Sequence, residues 1–251
     1  PRNLLGGKTA LITAAAGTGI GFAAAKRCAE EGATLLISDI HERRLTEAAQ
    51  AIQDATGKRP AMQLCDVTKE DQVQTLKAAA LKEFGAAPDI LINNAGLGGS
   101  TTVVEMTDDQ WARVIDVSLT SVFRMCRAFL PAMYERKTGV IINNASVLGW
   151  RAQALQSHYA AAKAGVMAFT RCAAIEAAEH NVRINAVSPS IAMHAFLAKV
   201  TTEEQLEQLS RQEAFGRPAE VWEIANVMVF LASEYSSYMT GEVVSVSSQR
   251  A

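Results

Sequence analysis

Short, unbroken apolar runs, each followed by a longer stretch with helical periodicity, constrain this chain more than any other feature. Thr9-Ala10-Leu11-Ile12-Thr13 reads as a buried strand, and Ile20 to Glu31 as the helix after it, ended by Gly32. The alternation then repeats. A strand over Thr34 to Ser38 precedes a helix from His41 to Ala55, ended near Gly57. A strand over Ala61 to Cys65 precedes a helix capped by Thr68 and stopped at Gly85. Asp89 to Asn93 is a fourth strand. Thr107-Asp108-Asp109-Gln110 has capping-box spacing and opens a long helix through Trp111 to about Tyr134. A fifth strand covers Gly139 to Asn143, a helix follows around Tyr159, and a sixth strand covers Val182 to Val187. Two more helices and a last strand near Val243-Val244 close the chain. Strands that are apolar throughout are buried on both faces, which is the signature of a parallel sheet covered by helices.

The first strand–helix turn adds a ligand. It reads Ala14-Ala15-Ala16-Gly17-Thr18-Gly19-Ile20-Gly21. Small residues there let the backbone approach a pyrophosphate at the positive end of the next helix. Asp39 ends the second strand, 18 residues after Gly21, where a carboxylate can accept from adenosine ribose hydroxyls and repel a 2′-phosphate. That favours NAD over NADP, although Arg43 and Arg44 follow it, as candidates for a phosphate or as solvated charges on a helix face. Asp66-Val67 ends the third strand, at the border of an adenine. The expected fold is α/β, a Rossmann-type three-layer αβα sandwich around a doubly wound parallel sheet with right-handed crossovers.

Tyr159 and Lys163 stand four apart in a helix rich in alanine, so both side chains lie on one face. A free tyrosine has a pKa of about 10. A nearby ammonium favours the phenolate, so the pair can exchange a proton near neutrality. Ser146 follows the fifth strand, at the carboxyl edge where open α/β sheets bind ligands.

Composition bounds the rest. With 251 residues, 49% of them hydrophobic, the chain is expected to form one domain, 1–251. A net charge of -2 with interspersed signs argues against nucleic-acid binding. No apolar run reaches the length of a membrane span, and no signal-peptide core is seen. Cys28, Cys65, Cys126 and Cys172 are far apart, so neither a metal site nor a disulfide framework is expected, and a reduced cytoplasmic setting fits best. Each cysteine sits in or beside an apolar stretch, where burial is expected.

With these pieces in order, the chain resembles the short-chain dehydrogenase/reductase family over essentially its whole length. The matching pieces are the glycine loop to Gly21, Asp39, Asp66-Val67, Asn93-Asn94-Ala95-Gly96, Ser146, Tyr159-x-x-x-Lys163 and Asn185-Ala186-Val187-Ser188-Pro189, with 13 residues from Ser146 to Tyr159. The stretches Asn144 to Gln153, Pro189-Ser190-Ile191-Ala192 and Gly241 to Ala251 are similar to an actinobacterial group within the family that acts on coenzyme A thioesters from the C and D rings of steroids.

The resemblance implies hydride transfer between NAD(P) and a secondary alcohol or ketone. It makes Tyr159 the acid/base, Lys163 its partner and a ligand of the nicotinamide ribose, and Ser146 a hydrogen-bond partner of the substrate oxygen. It implies a cofactor site of Ala14, Gly17, Thr18, Gly19, Ile20, Gly21, Asp39, Asp66, Val67, Asn94, Ala95, Gly96, Pro189 and Ile191, together with Tyr159 and Lys163. NAD is the expected cofactor, with NADP possible; no metal is expected. The substrate is expected to be a small molecule, a CoA thioester, and the assembly a homotetramer.

Several positions depart from the family pattern. Ser118 replaces the asparagine of the proton relay and is kept as a catalytic candidate. Ala14 stands where the first glycine belongs. Ser190 and His194 follow Pro189 in place of glycine and threonine, and Ser247-Ser248 replaces Asp-Gly. The segment 190–215 is expected to be a substrate lid, with Phe196, Leu197, Val200, Leu206 and Leu209 as its apolar stripe. Trp150 and Arg151 are candidates for a ring-pocket wall and a phosphate contact. The alternatives are a 3-oxoacyl thioester reductase and, from another class, a dinucleotide-sensing protein without turnover.

Overall fold

A computed structural model describes residues 2–193 and 203–248. Seven parallel strands form its sheet in the order β3-β2-β1-β4-β5-β6-β9: β1 Thr9–Ile12, β2 Thr34–Asp39, β3 Ala61–Leu64, β4 Ile90–Asn93, β5 Gly139–Asn144, β6 Val182–Pro189 and β9 Val243–Val246. Both halves wind outward from the β1–β4 pair, so the order reverses there and opens a crevice at the carboxyl ends. The sequence expectation of a doubly wound α/β sheet holds.

Side-chain alternation along the strands feeds two cores. Ala10 and Ile12 of β1 and Leu35 and Ile37 of β2 face α1 (Ile20–Glu30), α2 (Glu42–Thr56) and α8 (Val221–Ala232). Leu11, Leu36, Leu91 and Ile141 face the other way, toward α3 (Glu70–Phe84), α5 (Ser121–Arg136) and α6 (Ser157–Ala178). All of these strand residues are 4% exposed or less, which accounts for runs that are apolar without a break. Removing one such side chain, as in Leu91→Ala, costs about 2–5 kcal/mol in a close-packed core. At the amino end of the sheet Asp89 accepts from Thr9 N and Thr9 Oγ1 at 2.8 and 2.9 Å and pairs with Arg136 at 2.5 Å.

Local signals set most helix ends. Gly57 and Gly85 are left-handed C-caps, and Thr107 and Gln110 form the expected capping box. Thr68 is not a cap. Its N–H and hydroxyl both donate to Asp66 Oδ1, at 2.9 and 2.7 Å, and Lys69 occupies the cap position. The long helix after Thr107 is three consecutive pieces: α4 (Asp108–Ile115), a π-helical turn over Asp116–Thr120, and α5, with Pro131 inside it. A small second sheet, β7 (Ala192–Met193) against β8 (Ala219–Glu220), was not expected. Of the supposed lid, α7 (Glu203–Gln212) is described with Leu206 and Leu209 half-buried, while His194, Phe196, Leu197 and Val200 lie outside the described residues.

Three cysteines are buried as expected and Cys172, on α6, is exposed, contrary to expectation. Its position on the outward side of a helix, away from the sheet, overrides its apolar neighbours in sequence. Among the described residues no helix is long and apolar enough to cross a membrane, and no cluster of metal-ligating side chains occurs.

Candidate active site

The glycine loop leaves β1 through Ala14, whose φ of 49° lies in the left-handed region. That is the conformation a glycine would take at no cost, so an alanine here holds a strained, glycine-like backbone. Gly17 follows at φ 84°. A Cβ at Gly17 or Gly19 would meet nothing within 4 Å, so the backbone lies bare toward solvent at the start of α1. Gly21 differs. A Cβ there would collide with the Ala14 carbonyl oxygen and the Asn94 amide, so this glycine serves the packing of α1 against the strand ends.

Asp39 sits beside this loop. Its Oδ2 accepts from Ala16 N at 3.1 Å and its Oδ1 from His41 N at 3.0 Å. The helix cap is His41, so Asp39 is not an N-cap. Burial pushes its carboxyl above the ordinary range, and the Ala16 N–H and the charge of Arg44 hold back part of that rise. Both arginines are exposed; Arg44 lines the same cleft, and Arg43 pairs with Glu47 at 3.7 Å. The cleft, about 1030 Å³, runs along the carboxyl ends of the strands. Ala14, Asp39, Asp66, Val67, Ala95 and Gly96 all border it, as does Trp111 from α4, which sequence reading did not place there. Thr18 borders instead a second groove, with Phe22 and Trp222. Pro189 is buried at the end of β6, and Ile191 accepts through its carbonyl from Ala219 N at 2.9 Å.

Gly96 joins this cleft to the tyrosine helix, because a Cβ there would lie 3.3 Å from Lys163 Nζ. Lys163 is 2% exposed and donates to the Asn144 carbonyl at 2.6 Å. Its ammonium stands 5.5 Å from the Tyr159 ring centroid. Burial lowers its pKa to about 8, so the charged form still predominates at neutral pH. Burial also raises the Tyr159 phenol, and the Ser146 hydroxyl offsets part of that rise. Ser146, nearly buried, caps the short turn Val147–Gly149 by accepting from Leu148 N at 3.3 Å. The structure therefore brings Ser146, Tyr159 and Lys163 together at the end of β5.

Ser118 is fully buried in the π-helical turn. Its hydroxyl accepts from Leu97 N and donates to Leu97 O, both at 2.9 Å, which pins the segment after Gly96. Trp150 is 46% exposed and Arg151 half-buried beside this site. His158 was not singled out from sequence. It is buried next to Tyr159 with its Nε2 against Gly99, where a Cβ would come within 2.7 Å.

Residues 14–248 match the family model described as enoyl-(acyl carrier protein) reductase, one of the short-chain dehydrogenase type. The chain belongs to the short-chain dehydrogenase/reductase family. It is an oxidoreductase, and the family's cofactor is a nicotinamide dinucleotide. Bare backbone at Gly17 and Gly19, a cleft of nucleotide size and a carboxylate at the end of β2 fit that group. This dehydrogenase/reductase is 60% identical over 247 residues to the (5R,7aS)-5-hydroxy-7a-methyl-1-oxo-2,3,5,6,7,7a-hexahydro-1H-indene-carboxyl-CoA reductase of Mycobacterium tuberculosis, covering 98% of this chain and 94% of the relative. It is 35% identical to the 3-oxoacyl-[acyl-carrier-protein] reductase of Chlamydia muridarum, covering 97% of each. Among solved structures, a short-chain dehydrogenase from Mycobacterium smegmatis superposes with a TM-score of 0.87 at 56% identity, covering 99% of this chain and 95% of that one. The L-sorbose reductase of Gluconobacter frateurii, complexed with NADPH and L-sorbose, superposes at 0.93 with 30% identity, covering 98% and 97%.

Proposed function

We propose that this enzyme interconverts a ring hydroxyl and a ketone on a steroid-derived bicyclic acyl-CoA, using NAD. The observation that carries the substrate is the 60% identity, over nearly the whole of both chains, with a reductase of an indene carboxyl-CoA. Fused apolar rings gain about 25 cal/mol per Å² on burial, and the thioester arm adds polar contacts outside the pocket. The test compares kcat/KM for the bicyclic thioester, its free acid and a linear 3-oxoacyl thioester of similar length. The bicyclic thioester is expected to win. A clear win for the linear thioester transfers the reading to the 3-oxoacyl reductases, which are 35% identical.

In this reading the bound cofactor supplies or accepts the hydride. Tyr159 exchanges the proton at the substrate oxygen, Ser146 hydrogen-bonds the same oxygen, and Lys163 favours the phenolate by its charge. Ser118 supports the relay by fixing Leu97 behind Gly96, beside the lysine. Gly17, Thr18, Gly19 and Ile20 present the backbone to the pyrophosphate, while Asp66 and Val67 border the adenine. Pro189 and Ile191 border the nicotinamide.

The preference for NAD rests on Asp39, whose half-buried carboxylate would face a 2′-phosphate. Arg44, on the rim of the same cleft, favours NADP instead. Asp39→Ala is expected to weaken NAD and narrow its advantage over NADP in steady-state constants for both. A wild-type preference for NADP would reverse the assignment and give Arg44 the phosphate.

We also propose that the chain works as one domain and a homotetramer, paired through the outward faces of α5 and α6. Ala161, Ala168 and Cys172 are exposed on α6, Ile175 is 74% exposed, and Phe123 of α5 is 43% exposed under the Arg127 guanidinium. Small residues in such a stripe permit close helix approach.

A further inference from the structure

Four carboxamides stand at the carboxyl ends of β4 and β5 and form two cross-strand pairs. Asn93 and Asn143 are partners in register. Asn93 Nδ2 donates to Asn143 Oδ1 at 2.9 Å, and Asn143 Nδ2 donates to Thr170 Oγ1 of α6 at 2.9 Å. This pair lies inside the core, where Asn93 Oδ1 is also left without a partner among the described residues. The second pair leads elsewhere. Asn144 Nδ2 donates to Asn94 Oδ1 at 2.9 Å, and Asn94 Nδ2 donates to Ala14 O at 3.2 Å. The backbone carbonyl of Asn144 accepts from Lys163 Nζ at 2.6 Å. An unbroken run of hydrogen bonds therefore links the carbonyl that opens the glycine loop to the ammonium beside Tyr159.

Asn144 is the joint of that run, since its side chain faces the loop and its carbonyl holds the lysine. A carboxamide here is costly. With Asn143 it ends a strand that is apolar up to that point, and its Oδ1 is buried with no partner among the described residues. Burying a polar group is unfavourable unless it is fully hydrogen-bonded. An aliphatic side chain would continue β5 without that penalty, so packing alone does not account for the residue.

We infer that Asn144 is a positioning residue of the reaction: it fixes the carbonyl that anchors Lys163 relative to the glycine loop, so that one rigid frame sets the lysine against both tyrosine and cofactor. The inference rests on the roles of Tyr159 and Lys163 proposed above. Its physical basis is that the effect of an ammonium on a phenol falls with distance, and that a sub-ångström displacement of a catalytic group is costly.

Asn144→Leu keeps the approximate shape and removes the donor to Asn94. The expected result is a fall in kcat of about tenfold, the scale of one buried hydrogen bond, with substrate KM little changed. The high-pH limb of the kcat profile moves up, because burial is what lowers the Lys163 ammonium to about 8, and a lysine that drifts from its anchor toward solvent keeps its charge to higher pH. Combining the change with Asn94→Ala, which breaks the same run, lowers kcat little further. An unchanged kcat, full additivity of the two losses, or a loss that follows melting temperature with the pH limb in place overturns the inference. Asn144→Thr, well suited to a strand, carries the same measurements if the leucine variant does not fold. Tyr159→Phe in the same assay separates the two levels. If it is inactive and Asn144→Leu behaves as wild type, the inference alone fails. If Tyr159→Phe turns over normally, the underlying reading fails and takes the inference with it.

Discussion

Tyr159 concentrates the chemistry proposed for this enzyme in one oxygen atom. Tyr159→Phe deletes that oxygen and keeps the ring against Gly98, whose Cβ position lies 3.9 Å from Tyr159 Cδ2. Turnover is expected to fall by about the 10²–10⁴ typical of a positioned acid/base, with dinucleotide affinity held within a few-fold. Steady-state rates and a cofactor titration on the same preparation check both halves. Lys163 shows why charge and burial must be weighed together. Burial weakens its hold on the proton, yet the resulting pKa of about 8 leaves the ammonium in place at neutral pH. Ala14 carries a second lesson at this scale. Sequence comparison marks it as a missing glycine, and its φ of 49° shows that the backbone still takes the glycine conformation.

At the scale of elements, the turn between β1 and α1 separates two uses of glycine. Gly21→Ala is expected to displace the loop, since its Cβ would strike the Ala14 backbone as well as the Asn94 amide. Overpacking of that kind costs about 1–3 kcal/mol, so both melting temperature and dinucleotide affinity should drop. Gly19→Ala meets open space and should leave the melting temperature nearly unchanged while still weakening dinucleotide binding. Equal melting losses for the two would contradict this division.

The strands and most helices were legible because their signals are local: apolar runs of strand length, a capping box at Thr107, and glycines after α2 and α3. Three features were not. The π-helical turn at Asp116–Thr120 hides between two helical stretches, because five residues are too few to show a period of their own. Thr68 has the chemistry of a cap, but Asp66 two residues earlier captures its hydroxyl. The β7–β8 pair is two residues long on each side, too short for any pattern. In the site, Ser146, Tyr159 and Lys163 were singled out by the family resemblance, with the four-residue step of Tyr159 and Lys163 as its local sign. The link from Asn144 to Asn94 was not, since it needs the β4–β5 register, although two adjacent asparagines at the end of an apolar strand were the available sign.

For the whole molecule, assembly is the main expectation. The alanine face of α6, with Ile175 and the Phe123–Arg127 stack of α5 beside it, is apolar surface that a second copy would cover. Light scattering at working concentration is expected to give about four times the chain mass for a symmetric tetramer, and a monomer would contradict the proposal. The cysteines offer an independent clock for that event. Cys28, Cys65 and Cys126 have thiols pushed up to about 12 by burial, so they remain protonated and silent toward a disulfide reagent in the folded chain. Cys172 stands alone in solvent on the very face proposed to pair. One native thiol should therefore react, quickly in dilute solution and ever more slowly as concentration rises, so that a colour reaction counts the fraction of subunits standing apart.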